Sequence, residues 1–327
     1  MLRLVSSTIF RESSTESESR GSQSSMSSKF RNSIPSPQFP AEPGRYVLYV
    51  NYACPWAHRA IIALGLKGLE HVIQMVEADS RDPTHGWVFS GAKGPDCDPI
   101  YGVKYVKELY LRADPNYTGR ITVPMLWDKT TETVVNNESS DILRILFEAF
   151  DAFLPSERTE AYKGPAAFIP GHLKRDIDVL NAWVYDSVNN GVYKIGFAGT
   201  QAAYDEHVTR LFQSLDRLEA HLTQNDHYPY LFGTYITDAD IRLFTTLIRF
   251  DVVYYPLFKC NLKMIRYDYP RLHDWLRRLY WSEGPETAGG VFKRTTRFED
   301  IKYGYSSFFA AGNRIVPIGP LPHIAPL

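Results

Sequence analysis

Cysteine is scarce in this chain: Cys54, Cys97 and Cys260 are the only three in 327 residues. They are too few and too scattered for a disulfide framework or a paired-cysteine zinc site, so a reducing compartment is expected. No apolar run approaches the roughly 20 residues that cross a bilayer, and a soluble protein is expected. The formal net charge is −1 and no basic stripe stands out, which argues against nucleic acid as a partner. Also missing are a glycine-rich phosphate loop, a His-Glu-x-x-His helix, a Gly-x-Ser-x-Gly elbow and any internal repeat. Phosphate-loop, zinc-hydrolase and serine-hydrolase chemistry are thereby set aside.

What is present is a sizeable core and many aromatic rings. Hydrophobic residues make up 44%, and the length suggests two domains plus tails. The 21 tyrosines raise the question of whether some line a pocket.

The stretch around which the rest can be placed is Tyr49-Val50-Asn51-Tyr52-Ala53-Cys54-Pro55-Trp56-Ala57-His58-Arg59, a β-type run that breaks at Cys-Pro and opens a helix. Proline suits the first helical turn because its missing N–H is an unused donor there, so Cys54 is expected at the cap. There the free N–H groups and the positive end of the helix dipole favour a thiolate, with His58 and Arg59 as cationic help. Ala57 occupies the place of a second cysteine in a dithiol redox motif, so Cys54 would form a mixed disulfide only with a small thiol. Taken alone, the motif leaves Cys54 as either a reactive thiol or a small apolar filler.

In chain order, residues 1–44 are rich in serine and then proline, and read as a disordered or loosely draped arm. Translation starting at Met26 would shorten it. Met1 to Arg11 is basic and free of acids, as a mitochondrial presequence would be. The expected compartment is the cytoplasm, with the mitochondrion as the alternative. Residues 45–153 then read as one α/β domain: a strand at 46–50, a helix at 56–66, a strand at 72–76, a long insertion at 79–119 bearing Trp87, a strand from Ile121 with Pro124 at its start, a strand at 133–136, and a helix starting within Asn137-Glu138-Ser139-Ser140-Asp141 with Ser139 or Ser140 near the cap. Trp87 either packs the insertion down or serves a site. A cis bond before Pro124 is expected, as is a carboxylate-binding corner at the helix start, whose alternative is an ordinary capped helix. Residues 154–171 form a linker. Residues 172–327 read as helices at 172–190, 204–222, from Thr237 with Asp240 closing a capping box, and 270–282, followed by an irregular tail after Gly284.

An α/β unit with a cap cysteine, a Val-Pro strand, a Glu-Ser helix start and an all-helical second half resembles the glutathione transferase superfamily: a thioredoxin-like N-terminal domain followed by an all-α C-terminal domain. Cys54-Pro55-Trp56-Ala57-His58-Arg59, the insertion with Trp87, the run Asn189 to Ala198, and the late Ile301-Lys302-Tyr303-Gly304-Tyr305-Ser306 with Ile315 to Pro320 are similar to the glutathionyl-hydroquinone reductases, the Xi class, of fungal type. The resemblance implies Cys54 as nucleophile, Val123 as the residue whose backbone pairs with the glutathione cysteinyl amide, and Pro124 as the cis-proline beside it. It further implies Glu138 and Ser139 at the γ-glutamyl end, Trp87 in the glutathione site, Arg120 as a partner for a glutathione carboxylate, and Tyr193 and Tyr305 lining the aromatic substrate site. The family usually has His where this chain has Gly304, so Tyr303 stays an alternative to Tyr305. Glutathione is then the co-substrate, no metal is required, and a homodimer is expected. Two other readings are an omega-like thiol transferase or dehydroascorbate reductase, also using Cys54, and a non-catalytic protein of the same fold that holds aromatic ligands.

Overall fold

The computed structural model describes residues 29–309 and 314–327. The expectations for Met1 to Arg11, the Ser-rich run at 13–28 and Met26 lie outside the described residues.

Tyr46-Val-Leu-Tyr-Val50 is apolar at every position, which predicts a strand covered on both faces. It forms β1 (Tyr46–Val50), buried throughout. The chain then makes α1 (Pro55–Lys67), β2 (Gln74–Glu77), the hairpin β3 (Ser80–Asp82) and β4 (Gly86–Val88), α2 (Val106–Ala113), β5 (Met125–Asp128), β6 (Thr133–Asn136) and α3 (Ser139–Glu148). The main sheet runs β2-β1-β5-β6, with β1 and β2 parallel and the remaining pairs antiparallel. Side chains alternate across a strand. Tyr46, Leu48, Val50, Leu126 and Val135 therefore join one core cluster with α1, α3 and the helical half, while Val47, Tyr49, Met125, Trp127 and Val134 form a second. That second cluster is closed by Phe89, Val106, Leu109 and Tyr110 of the insertion. The insertion, read from the sequence as one long loop, thus carries a hairpin and a helix because the sheet's far face needs covering.

The arm differs from its expected looseness over its described part. Phe30, Ile34 and Phe39 are buried, Phe39 to 1% exposure. Asn32 N–H donates to Val135 O at 3.0 Å, and the Arg31 guanidinium forks onto the Asp141 carboxylate at 2.7 and 2.8 Å. Three apolar anchors in a polar window suffice to seat the segment along β6, where it covers a sheet edge.

The expected linker at 154–171 contains the short helix α4 (Glu160–Lys163). The helical half follows with α5 (Lys174–Val184), α6 (Gly191–Gly196), α7 (Gln201–His221) and α8 (Asp238–Arg249). Helix Pro270–Trp281 stands where its apolar stripe predicted, with Leu272, Trp275, Leu276 and Leu279 buried. The tail expected to be irregular after Gly284 includes helices Val291–Thr295 and Phe298–Ser306. Their short apolar faces become readable only from what they pack on: Val291–Thr295 lies against α1 and, through Phe292, against Phe244 of α8, and Phe298–Ser306 lies against residues Phe250–Tyr254. Two π-helical turns, Tyr185–Asn189 and Phe250–Tyr254, follow α5 and α8 directly. Among the described residues no helix is long and apolar enough to cross a membrane.

Candidate active site

Cys54 sits at the N-cap of α1 with Pro55 in the first turn, as its sequence requires. It is partly buried, and its Sγ lies 3.4 Å from the carbonyl oxygen of Val123, whose peptide bond to Pro124 is cis. The backbone N–H groups of Trp56 and Ala57, together with Arg249 and Arg59, pull the thiol toward ionisation; burial pushes it the other way and prevails, so the thiol stands above its ordinary value. The expectation of a thiol made acidic by its helix is corrected here: desolvation outweighs the donors.

His58 is not cationic help either. It is fully buried, its Nε2 lies 2.9 Å from Thr295 Oγ1, and burial with the adjacent Arg249 holds the imidazole neutral. The nearby positive charge comes from Arg59 and from Arg249, the second of which sequence reasoning missed. From α8 it donates to Tyr52 O at 3.0 Å and Ala53 O at 3.3 Å, the two carbonyls just before Cys54. Its position at the end of an ordinary helix carries no local signal. Arg59 is also buried; it lies over the Trp56 ring at 4.6 Å and donates to Ser139 Oγ at 3.3 Å and Asn189 Oδ1 at 3.0 Å.

Ser139 thereby joins the Cys54 helix to the start of α3. There Glu138, not Ser139 or Ser140, is the N-cap, and its carboxylate accepts Ser140 N–H at 3.2 Å. The same oxygen, Oε1, also accepts the Ser140 hydroxyl at 3.2 Å and the Ser139 hydroxyl at 3.4 Å. Trp87 lies partly buried on β4 with Arg81 5.9 Å from its ring. Arg120 is exposed at the end of the insertion, within electrostatic reach of Tyr185.

Three hydroxyls meet near the Cys54 turn, where Tyr193 lies 6.3 Å from the Trp56 ring. Tyr193 of α6, Tyr254 of the second π-helical turn and Tyr305 of helix Phe298–Ser306 have oxygens 2.6 Å (193–305), 2.7 Å (254–305) and 3.3 Å (193–254) apart. Burial and their mutual proximity raise Tyr193 and Tyr305 well above the ordinary phenol value, and burial brings Tyr254 to about 12. All three are neutral donors near pH 7. Tyr254 is within electrostatic reach of Cys54. It was missed because Val252-Val253-Tyr254-Tyr255 reads as plain core. Tyr303 is 57% exposed under Arg314 and stands apart from the cluster. Gly304 explains itself: a Cβ there would come within 2.8 Å of the Ala53 Cβ, so the helix closes on the Cys54 turn only without a side chain. Among the described residues no cluster of His, Cys, Asp or Glu could hold a metal ion.

A cap cysteine on a mixed α/β sheet, a cis-proline strand facing it and a helical half bearing hydroxyls define a thiol-dependent transferase with a thioredoxin-like domain. Comparison with known proteins places it more closely. Residues 53–149 match the glutathione S-transferase N-terminal domain and residues 201–278 the C-terminal domain. Glutathione S-transferase omega-like 2 of Schizosaccharomyces pombe is 44% identical over 302 residues, 91% of this chain and 93% of that one. The glutathionyl-hydroquinone reductase YqjG of Escherichia coli is 45% identical over 285 residues, covering 86% of this chain and 81% of that one, and its glutathione-bound structure superposes with a TM-score of 0.77 at 43% identity, covering 88% and 89% of the two chains. The Xi glutathione transferase of Phanerochaete chrysosporium superposes with a TM-score of 0.86 at 48% identity, over 94% of this chain and 96% of that one. The chain belongs to the glutathione transferase family, in its Xi class.

Proposed function

We propose that this protein is a glutathionyl-hydroquinone reductase: it reduces glutathionyl-hydroquinones to hydroquinones with glutathione as co-substrate and releases oxidised glutathione. The single observation that carries the reading is the pairing of Cys54, without a second thiol at Ala57, with the hydroxyl cluster of Tyr193, Tyr254 and Tyr305. Its relative YqjG bears that activity in its name.

Cys54 thiolate attacks the sulfur of the conjugate; the sulfur–sulfur bond forms as the sulfur–ring-carbon bond breaks, and the electron pair stays on the ring carbon. A tyrosine hydroxyl of the cluster donates the proton that this carbon takes up, and the hydroquinone leaves. A second glutathione thiolate attacks the Cys54–glutathione disulfide, freeing Cys54 and giving the oxidised dimer. The proton of that second thiol restores the tyrosine.

Glutathione brings two carboxylates, an amine and a peptide edge. Val123 beside cis-Pro124 offers the backbone edge, Glu138 a counter-charge for the amine, and Ser139 with the α3 N-terminus a seat for the γ-glutamyl carboxylate. Trp87 walls the glutathione site from the insertion, and Arg120 meets the remaining carboxylate. The protein works as a homodimer in the cytoplasm, with neither nucleic acid nor membrane as a partner; its three free cysteines suit a reducing compartment. The test is steady-state reduction of a glutathionyl-benzohydroquinone by wild type and Cys54→Ser, with intact mass read for a glutathione adduct. Turnover and adduct should both vanish in the variant. Reduction of dehydroascorbate without reduction of the conjugate would instead make the protein an omega-like thiol transferase.

A further inference from the structure

The hydroxyl cluster does not end the aromatic lining. A column of near-parallel rings runs outward from the reactive end: Trp56, two residues from Cys54, lies 6.3 Å and 26° from Tyr193; Tyr193 lies 6.5 Å and 21° from Phe197; and Phe197 lies 6.2 Å and 15° from Phe309. Phe258, fully buried, backs the column edge-on, 5.5 Å from Tyr193 and from Phe197 and 5.3 Å from Phe309. Gly196 lets it do so, since a Cβ there would fall 2.4 Å from the Phe258 ring. Phe308 stands beside the column, 5.9 Å from the Tyr305 ring and 5.7 Å from Phe197.

At its inner end the column is walled and polar, with the phenols in hydrogen-bond contact. At its outer end three phenylalanines of two separate elements remain 39%, 41% and 42% exposed at positions 197, 308 and 309. Grouped phenylalanines left partly in water, here with the Arg81 guanidinium 5.6 Å from the Phe308 ring, mark a surface that gains by being covered. This one is continuous with the ring that presents a hydroxyl to the substrate. A bare hydroquinone, held at the tyrosine cluster, would leave the shelf wet; a substituent on its ring would reach along it.

We infer that Phe197, Phe308 and Phe309 form a specificity shelf that selects hydroquinones bearing an extended apolar substituent, such as an alkyl chain. This rests on the reductase reading and names the substrate class of the same site. The shelf holds the substituent while the tyrosine cluster holds the ring oxygens, so the conjugate's sulfur stays fixed toward Cys54.

The experiment compares kcat/KM for the glutathionyl conjugates of benzohydroquinone and octylhydroquinone. Wild type favours the octyl conjugate. Phe309→Ser and Phe308→Ser each lower that preference several-fold, and the double variant lowers it about tenfold, equivalent to roughly 1.4 kcal/mol or some 55 Å² of apolar contact. The ratio is measured within one enzyme, so partial loss of folded protein cancels. A wild type without preference, or a preference that survives the double variant, overturns the shelf while the reductase reading stands; a shelf already covered by a second copy of the chain would give that result. A wild type that reduces neither conjugate overturns both.

Discussion

At Cys54 two opposing forces act on one proton: burial withholds the charge that the N–H groups of Trp56 and Ala57 and the guanidinium groups of Arg249 and Arg59 would stabilise. Since the net direction is upward, the thiolate fraction and the rate of alkylation by iodoacetamide should rise with pH, with a midpoint above the ordinary cysteine value. Arg249→Gln leaves an N–H donor near the place of Nε, which meets the Ala53 carbonyl, but removes the charge, so that midpoint should move further up. A midpoint that does not move, read by mass spectrometry of the alkylated chain, would rule out an electrostatic role for Arg249. Residues at this scale were legible where chemistry is local. Cys54, Pro55 and the absence of a second thiol at Ala57 could be read directly, whereas Arg249 and Tyr254 reach the site from about 200 residues away and leave no mark in their own neighbourhood.

Among the elements, α8 shows how far a local pattern carries. Thr237 and Asp240 make the capping box that their spacing predicts. Asp240 does more, however: buried, it accepts Thr237 N–H at 2.8 Å, Thr237 Oγ1–H at 2.8 Å, Leu231 N–H at 2.9 Å and the Trp275 indole N–H at 2.9 Å. Thr237→Ala removes one cap and should cost about 1 kcal/mol. Asp240→Ala strands donors from three segments and should cost about 3 kcal/mol. Denaturant midpoints would check the order, and equal losses would mean that the carboxylate is only a cap. The two π-helical turns are the opposite case, because their extra residue per turn depends on what the side chains find. Asn189 finds Arg59 and Thr246, at 3.0 and 2.8 Å, and Tyr254 finds the hydroxyl cluster.

Across the whole molecule, one core cluster runs from β1 and α1 through α3 into α5, α7 and α8, so the two halves are not separate bodies that happen to touch. Asp238, fully buried in α8, pairs with Arg242 at 2.8 Å and with Arg144 of α3 at 3.1 Å. Removing it leaves the Arg242 guanidinium without this carboxylate, while Arg144 keeps Asp178. Asp238→Ala should therefore lower stability by about 3 kcal/mol while calorimetry still records one transition. Two separated transitions would show that the charge pair, rather than the apolar core, joins the halves.

Apolar periodicity, cap residues and proline placement act within a few residues of one another, and they determined β1, α1, the Val123-Pro124 strand, α7 and α8 and placed Cys54 at a helix start. The packing of residues far apart in the chain decided the rest. Phe30 and Phe39 are ordered by the sheet they cover, the insertion folds because a second face must be closed, and Tyr193, Tyr254 and Tyr305 become one cluster only when three elements converge. Even the direction of the Cys54 proton equilibrium belongs to the tertiary structure: its helix supplies the donors, but desolvation by the surrounding chain outweighs them.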